Sequence, residues 1–516
     1  MTRVFFGKKA GFGPVMKIMA DDSDNPLTTA NTAYGKFNFN SETGAYAYIS
    51  EVYSADITWT ELALGYRYYP TGASTTSPLR VGLVTAGASK YLEATLNPGY
   101  SDYSTLSKKI SWVRLFVMPT GVLPGANLTQ RKANVDAAEA WTSMLEYSQT
   151  GVNGKPLLYA PEFWIADAES TVTWFAGDPP GFGTGNVACR AQLFISDLPG
   201  DGTAYLTPGT PVAGQKVLVF NKTTAKMARP GYTTAHTGDK LIFDSDRSPM
   251  KIAGTGYVAS LAAGATWLAP ATAFPISHSS LVMGLFTPVG VTLLYPPQLS
   301  TEASVEGFMY RIRTVSGVNR VEFKNGGAVA VAFRYAIMSE DSEPVTSGSA
   351  KVIETGANFF RIIRPGASSS PTSRDVLIDS RTVAMPLVAQ GNLGSGSMVA
   401  SDDATLGSHM FVVNYSNDGT WKPYPVAMAR IVSKNPATLG DISYRRFLMH
   451  WVKWKDPDGS AADSFLCKVT DTQTKFYGWM DTIEAALRVS RTGASTYTYT
   501  YDHFDGVRYY IFALPV

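Results

Sequence analysis

Two cysteines in 516 residues, Cys189 and Cys467, give no basis for a disulfide framework, and without a C-x-x-C pair they give none for a zinc ribbon. Charge is equally scarce: 17% of residues are charged, the formal net charge is +2, and the Lys and Arg are scattered. A surface that tracks nucleic-acid phosphates needs massed cations, so nucleic-acid binding is not expected. No stretch approaches the ~18 consecutive apolar residues of a membrane-spanning helix, so membrane insertion is not expected either. The opening MTRVFFGKK carries basic residues with no apolar run behind them, which is unlike a signal peptide and points to synthesis in a cytoplasm.

Catalytic and ligand-binding signatures are missing too. The five histidines, His236, His278, His409, His450 and His503, have none of the short spacings that metal sites reuse. Asp22 and Asp24 are spaced like the start of a calcium loop, but the sixth-position Gly and the terminal Glu do not follow. Gly181-Phe-Gly183-Thr-Gly185 follows two prolines and opens no helix, so its amides have no reason to converge on phosphate. No G-x-S-x-G elbow occurs. The expectation is a non-enzyme with no cofactor and no metal.

What the chain does have is aromatic and β-branched density: 27 Tyr, 25 Phe and 10 Trp within a 45% hydrophobic composition, which excludes wholesale disorder and favours packed sheets. It also repeats itself. Residues 229–245 read RPGYTTAHTGDKLIFDS and residues 364–380 read RPGASSSPTSRDVLIDS. Arg364, Pro365, Gly366, Asp379 and Ser380 each follow Arg229, Pro230, Gly231, Asp244 and Ser245 by 135 residues. A divergent copy, NPLTTANTAYGKFNFNS, opens the chain, with Pro26 preceding Ser41 by the same 15 residues that separate Pro230 from Ser245. Pro-Gly makes a turn, the alternating apolar residues that follow feed a strand, and Asp or Asn followed by Ser closes it onto nearby backbone. Asn25 and Leu27 replace Arg and Gly in the first copy, which lacks the residues that set the turn.

The repeat predicts a mainly β protein of several antiparallel, sandwich-like modules in series. The divergent first module occupies 1–120, and 121–214 holds a helix and an aromatic, turn-rich stretch that is either a small domain or an insertion. The second module spans 215–345 and the third, with inserted loops, 346–516. Val135, Ala138, Trp141 and Leu145 predict one isolated helix near 130–147. Asn325-Gly326 and Asp505-Gly506, each between alternating runs, predict hairpins that close the second and third modules. A short helix is expected from Asp481, and a turn at Asp456–Gly459. Core packing is the expected role of most aromatics; Trp164 and Trp174 are the candidate glycan contacts.

The opening M-T-R-V-F-F-G-K-K, the R-P-G phrase running into a strand that ends F-D-S or I-D-S, and the closing strand VRYYIFALP resemble minor tail and tail-tip proteins of long-tailed bacteriophages. The resemblance implies a virion protein that folds in the infected cell and joins the distal tail. There it would help to hold or form fibres, with other tail or baseplate subunits, further copies of itself and host surface glycan or receptor as partners. It carries no catalytic residues. A carbohydrate-binding adhesin and an envelope polysaccharide-degrading enzyme are the alternatives.

Overall fold

In the computed structural model, the described residues are 3–9, 13–42, 49–58, 76–86, 89–97, 99–106, 109–119, 139, 141–143, 157–159, 162–166, 171–175, 187–199, 216–229, 231–236, 240–246, 251–277, 280–290, 293–294, 308–339, 345–356, 359–382, 384–403, 409–435, 438–448, 465–478, 487–491 and 497–515. The fold is mainly β and, among the strand pairs described, antiparallel apart from one short pair. Its framework is a unit of six strands made three times.

The first unit is β1 (Val4–Lys9), β2 (Gly13–Met19), β3 (Phe37–Asn40), β4 (Ile49–Thr58), β5 (Lys109–Pro119) and β6 (Val187–Pro199). The second is β7 (Leu218–Phe220), β8 (Ala225–Ala228), β9 (Leu241–Asp244), β10 (Ile252–Leu261), β11 (Val282–Pro288) and β12 (Val331–Met338). The third is β13 (Ile353–Thr355), β14 (Phe360–Ile363), β15 (Val376–Asp379), β16 (Leu387–Gly394), β17 (Trp421–Asn435) and β18 (Tyr497–Pro515). In every unit the first three strands form a small meander, and the last strand sits between the fourth and the fifth in a second sheet.

The repetition extends to single ladder positions. In the small sheets, Lys17 faces Asn40, Lys226 faces Asp244 and Arg361 faces Asp379; one pair further on, each ladder slips at a bulge, at Ile18/Met19, Met227/Ala228 and Ile362/Ile363. In the larger sheets a second bulge recurs at the start of the fourth strand: Ile49, Ile252 and Leu387 pair with Ser196, Met338 and Phe512, and the next residue of each is skipped. A bulge is one extra residue that bends and twists its strand, so the same two bends are built into all three units.

The three units pack into one body. Met16, Ile18 and Phe39 of the first small sheet share a buried cluster with Met227 and Phe243 of the second and Ile362 and Leu377 of the third. A second cluster joins Phe194 on β6, Met283 and Ala336 on β11 and β12, and Tyr510 and Phe512 on β18. Each pair of units is also tied directly. Phe6 meets Phe220, ring centroids 6.3 Å apart, between units one and two. Between three and one, Asn38 Nδ2 donates to the Ser380 carbonyl at 2.8 Å, while the Ala384 amide donates to the Asn38 carbonyl at 3.0 Å. Gly35 belongs to the same seam: a Cβ there would lie 1.6 Å from the Thr420 carbonyl oxygen, so only glycine admits the strand. Between two and three, buried Lys251 is close enough to Arg374 and Asp379 to feel both charges. Contacts that lead from one copy to the next and return to the first close a ring.

Three sequence expectations are corrected. Within 130–147, Trp141–Ser143 is a strand, not helix; it pairs in parallel with Leu157–Tyr159 and antiparallel with Tyr310 and Met309. The α-helix among the described residues is the single turn Tyr103–Leu106. Asn325-Gly326 is not a hairpin, because Val318–Asn325 pairs with Phe308–Val315 whereas β12 pairs with β10 and β11. The tight turn of that region is Ser316-Gly317, both at positive φ (52° and 78°). Asp505-Gly506 is not a turn either: β18 runs through it, and the ladder to β17 steps from Phe504 to Gly506, leaving Asp505 as a bulge. Glu139, at φ 48°, is not helical either; the other residues of the expected helix, the Asp481 helix, the Asp456–Gly459 turn and the 181–185 loop lie outside the described residues.

The strands described within 121–214 decorate the first unit. Glu162–Ala166 and Leu157–Tyr159 pair with β5, Thr171–Phe175 pairs with Ser89–Leu96, and β6 itself falls at 187–199. Through Trp141–Ser143 this sheet continues into the second unit's inserted hairpin, which makes nine strands in all.

Candidate functional site

Among the described residues, the repeated motif is a set of polar residues that the fold presents three times, and the copies share much of their geometry. After the third strand, the Ser41, Ser245 and Ser380 hydroxyls accept the Met16, Ala225 and Phe360 amides at 2.9, 3.0 and 3.0 Å. The same serines' own amides donate back to the carbonyls of those residues, at 2.9 Å in all three copies. One residue earlier, Asn40, Asp244 and Asp379 each accept the amide two residues on, from Glu42 at 3.0 Å, Asp246 at 3.0 Å and Arg381 at 2.9 Å. Short polar side chains that bond local backbone satisfy groups the ending ladder would otherwise leave bare.

The basic partners differ between copies. Lys17, buried, reaches Glu42 at 2.6 Å and Asn31 at 2.9 Å. Lys226 lies between Asp244 at 3.1 Å and Asp246 at 2.5 Å. Asp379 instead takes a forked contact from Arg381, with Nε at 2.8 Å and Nη2 at 2.5 Å.

The turns agree in two copies. Gly231 and Gly366 sit at φ 84° and 79°, a region that a Cβ makes costly, and the Tyr232 and Ala367 amides close the turns onto the Arg229 and Arg364 carbonyls at 3.0 and 3.2 Å. Pro230 lies outside the described residues. The first copy departs. The ladder bond that Arg229 and Arg364 make, to Lys240 and Asp375, is made there by Ala20 to Lys36 at 2.9 Å. Six further residues, Asp21 to Pro26, therefore come before Leu27, which keeps a negative φ while Asn25 Oδ1 caps its amide at 2.9 Å. Pro26 matches its counterparts in spacing from Ser41 but not in ladder position.

Replacing Gly366 by alanine is expected to cost about 1 kcal/mol through the positive φ, and Ser245→Ala about 1 kcal/mol through the lost amide acceptor. Urea unfolding of the two variants measures both.

The third copy adds a group that sequence spacing did not single out. Asp375, fully buried, accepts the Thr346 amide at 3.0 Å, the Thr346 hydroxyl at 2.5 Å, the Thr372 amide at 3.0 Å and Arg364 Nη2 at 3.0 Å; Arg364 also donates to the Thr346 carbonyl. Burial raises its pKa, but these donors outweigh burial and hold the carboxyl below its ordinary range. The second copy has Lys240 there, which lies over the Tyr232 ring at 5.7 Å, while His236 folds back on Thr233. An aspartate immediately before an apolar strand and three residues after a threonine was the available signal in the third copy.

Trp164 and Trp174 stand in added strands of the first unit, opposite Trp112 and Leu92, and share no strand. Cys467 is buried, and burial pushes its thiol far above the usual range, which is the state of a core thiol rather than a nucleophile. Among the described residues no group of three or more His, Cys, Asp or Glu could hold a metal, and no helix is long and apolar enough to cross a membrane. The repeated polar residues spend their hydrogen bonds on their own turns and on neighbouring strands. What they accomplish is the closing of three small sheets onto one core. No protein family, no curated protein and no solved structure matches this chain.

Proposed function

We propose that this chain is a structural component of a bacteriophage virion, a tail-tip, minor tail or fibre protein that serves tail assembly and host attachment. The observation that carries the reading is the threefold six-strand unit with its two recurring bulges. Catalysis is built from one constellation of side chains, whereas a scaffold gains from restating one sheet-forming unit and varying what is inserted into it. The variation falls in the segments inserted between framework strands. The second unit carries a hairpin at 308–325, and the third carries strands at 399–400, 409–414, 465–469 and 473–478. The resemblance of the opening, the R-P-G phrase and the closing strand to phage tail proteins supplies the setting, with other tail subunits and further copies as partners.

Gold-labelled antibody raised against the purified chain and applied to intact, washed particles of the phage that encodes it provides the test. Label confined to one end of the tail is the expected result. Particles that carry no label and yield no peptides of this chain by mass spectrometry, while the host lysate does, would overturn the assignment.

A further inference from the structure

Outside the repeated motif, the seam between the second and third units holds a buried cation. Arg334, on the central strand β12, is 8% exposed, and among the described residues its guanidinium has no acidic partner; its Nε is buried without a hydrogen-bond acceptor. The Tyr257 ring lies 5.4 Å from the guanidinium carbon, and that ring also carries the Lys422 ammonium at 5.6 Å. Two cations therefore meet around one ring. Among the described residues, the carboxylate whose charge reaches Arg334 is Asp471, which already binds Lys422 through both oxygens, at 2.8 and 3.1 Å, and is itself largely exposed.

A second orphan lies on the same face. Leu285 is directly opposite Arg334 and Thr287 is opposite Ala332, so side chains of Thr287 and Arg334 project to the same side of the sheet; the Thr287 hydroxyl is buried with no partner. That face packs on the third unit through Leu285, Ala336, Cys467 and Phe476. A guanidinium stays charged at neutral pH, and burying a charge without a counter-charge costs several kcal/mol. Water would satisfy the hydrogen bonds but not the charge.

We propose that a small monovalent inorganic anion, of the chloride class, binds between the second and third units, held by Arg334 Nε and the Thr287 hydroxyl. The donor set sets the class. One N–H, one hydroxyl and apolar flanks at Leu285 and Ala336 suit a single halide, whereas a phosphate or sulfate would leave most of its oxygens unpaired.

The full chain is unfolded thermally at constant ionic strength while sodium gluconate is exchanged for sodium chloride or bromide. A ligand that binds only the folded state raises Tm, so a rise of about 2 °C that saturates with halide is expected. Arg334→Met removes both the charge and the dependence. Bromide soaked into crystals of the wild-type chain should give an anomalous peak within hydrogen-bonding reach of Arg334 Nε, and this arm holds even if the variant does not fold. Equal Tm in gluconate and halide, a halide effect that persists in Arg334→Met, or bromide peaks only elsewhere would each overturn the proposal.

Discussion

Asp375→Ala is expected to lower the unfolding free energy by about 3 kcal/mol, because it removes a fully buried carboxylate and leaves partly buried Arg364, with Thr346 and Thr372, facing a void. Asp375→Asn, which keeps one oxygen, is expected to cost less. The carboxyl's folded pKa lies below its ordinary value of 3.8, so its stabilisation is fully present above that value and is lost as pH falls through the depressed folded pKa. Acid unfolding of the wild type should steepen below pH 3.8, and the alanine variant should lose that steepening. Urea midpoints measured from pH 7 down to pH 2.5 give both numbers. A variant within 1 kcal/mol of wild type at pH 7 would show that the network is dispensable.

Phe333→Ala is the second large effect, expected at about 3–5 kcal/mol. Phe333 is fully buried on β12 and is the hub of an aromatic cluster, with ring centroids 4.9 Å from Phe323, 5.1 Å from Phe308, 5.7 Å from Trp267 and 6.1 Å from Tyr335. Its neighbours belong to the second unit's inserted hairpin as well as to its framework, so truncation leaves a cavity where the two sheets meet. Phe333→Leu fills most of that space and is expected to recover more than half of the loss. The denaturation midpoint should fall with little change in slope. A matching substitution at half-exposed Phe6 should cost far less.

Local chemistry was legible in the sequence, and non-local pairing was not. The Pro-Gly turn with Asp-Ser fifteen residues on encodes interactions within some twenty residues, and a three-stranded sheet appears at all three copies. Failures begin where strands find distant partners. Asn325-Gly326 has the residues of a tight turn, but β12 is drawn to the centre of its own sheet by β10 and β11, which start some 80 and 50 residues earlier. Asp505-Gly506 departs from its turn-like sequence for the same reason: the long ladder of β17 holds β18 extended through it. At Trp141 the apolar spacing fits a helix, yet the three residues that are described pair with Leu157–Tyr159 and with the second unit's hairpin, so tertiary context overrides propensity. Buried Asp375 could have been suspected from its position before a strand. Arg334 could not, because nothing local distinguishes it from a surface arginine in a strand.

Because the three copies are joined by peptide bonds, the ring behaves as a trimer that cannot dissociate. Its stability should not depend on protein concentration, since the entropy of gathering three chains is never spent. Covalent linkage also frees each face to evolve alone. In a homotrimer any substitution appears three times over, whereas here Lys240 and Asp375 occupy equivalent ladder positions with opposite charge. A single polypeptide can thus offer three unlike surfaces from one architectural plan.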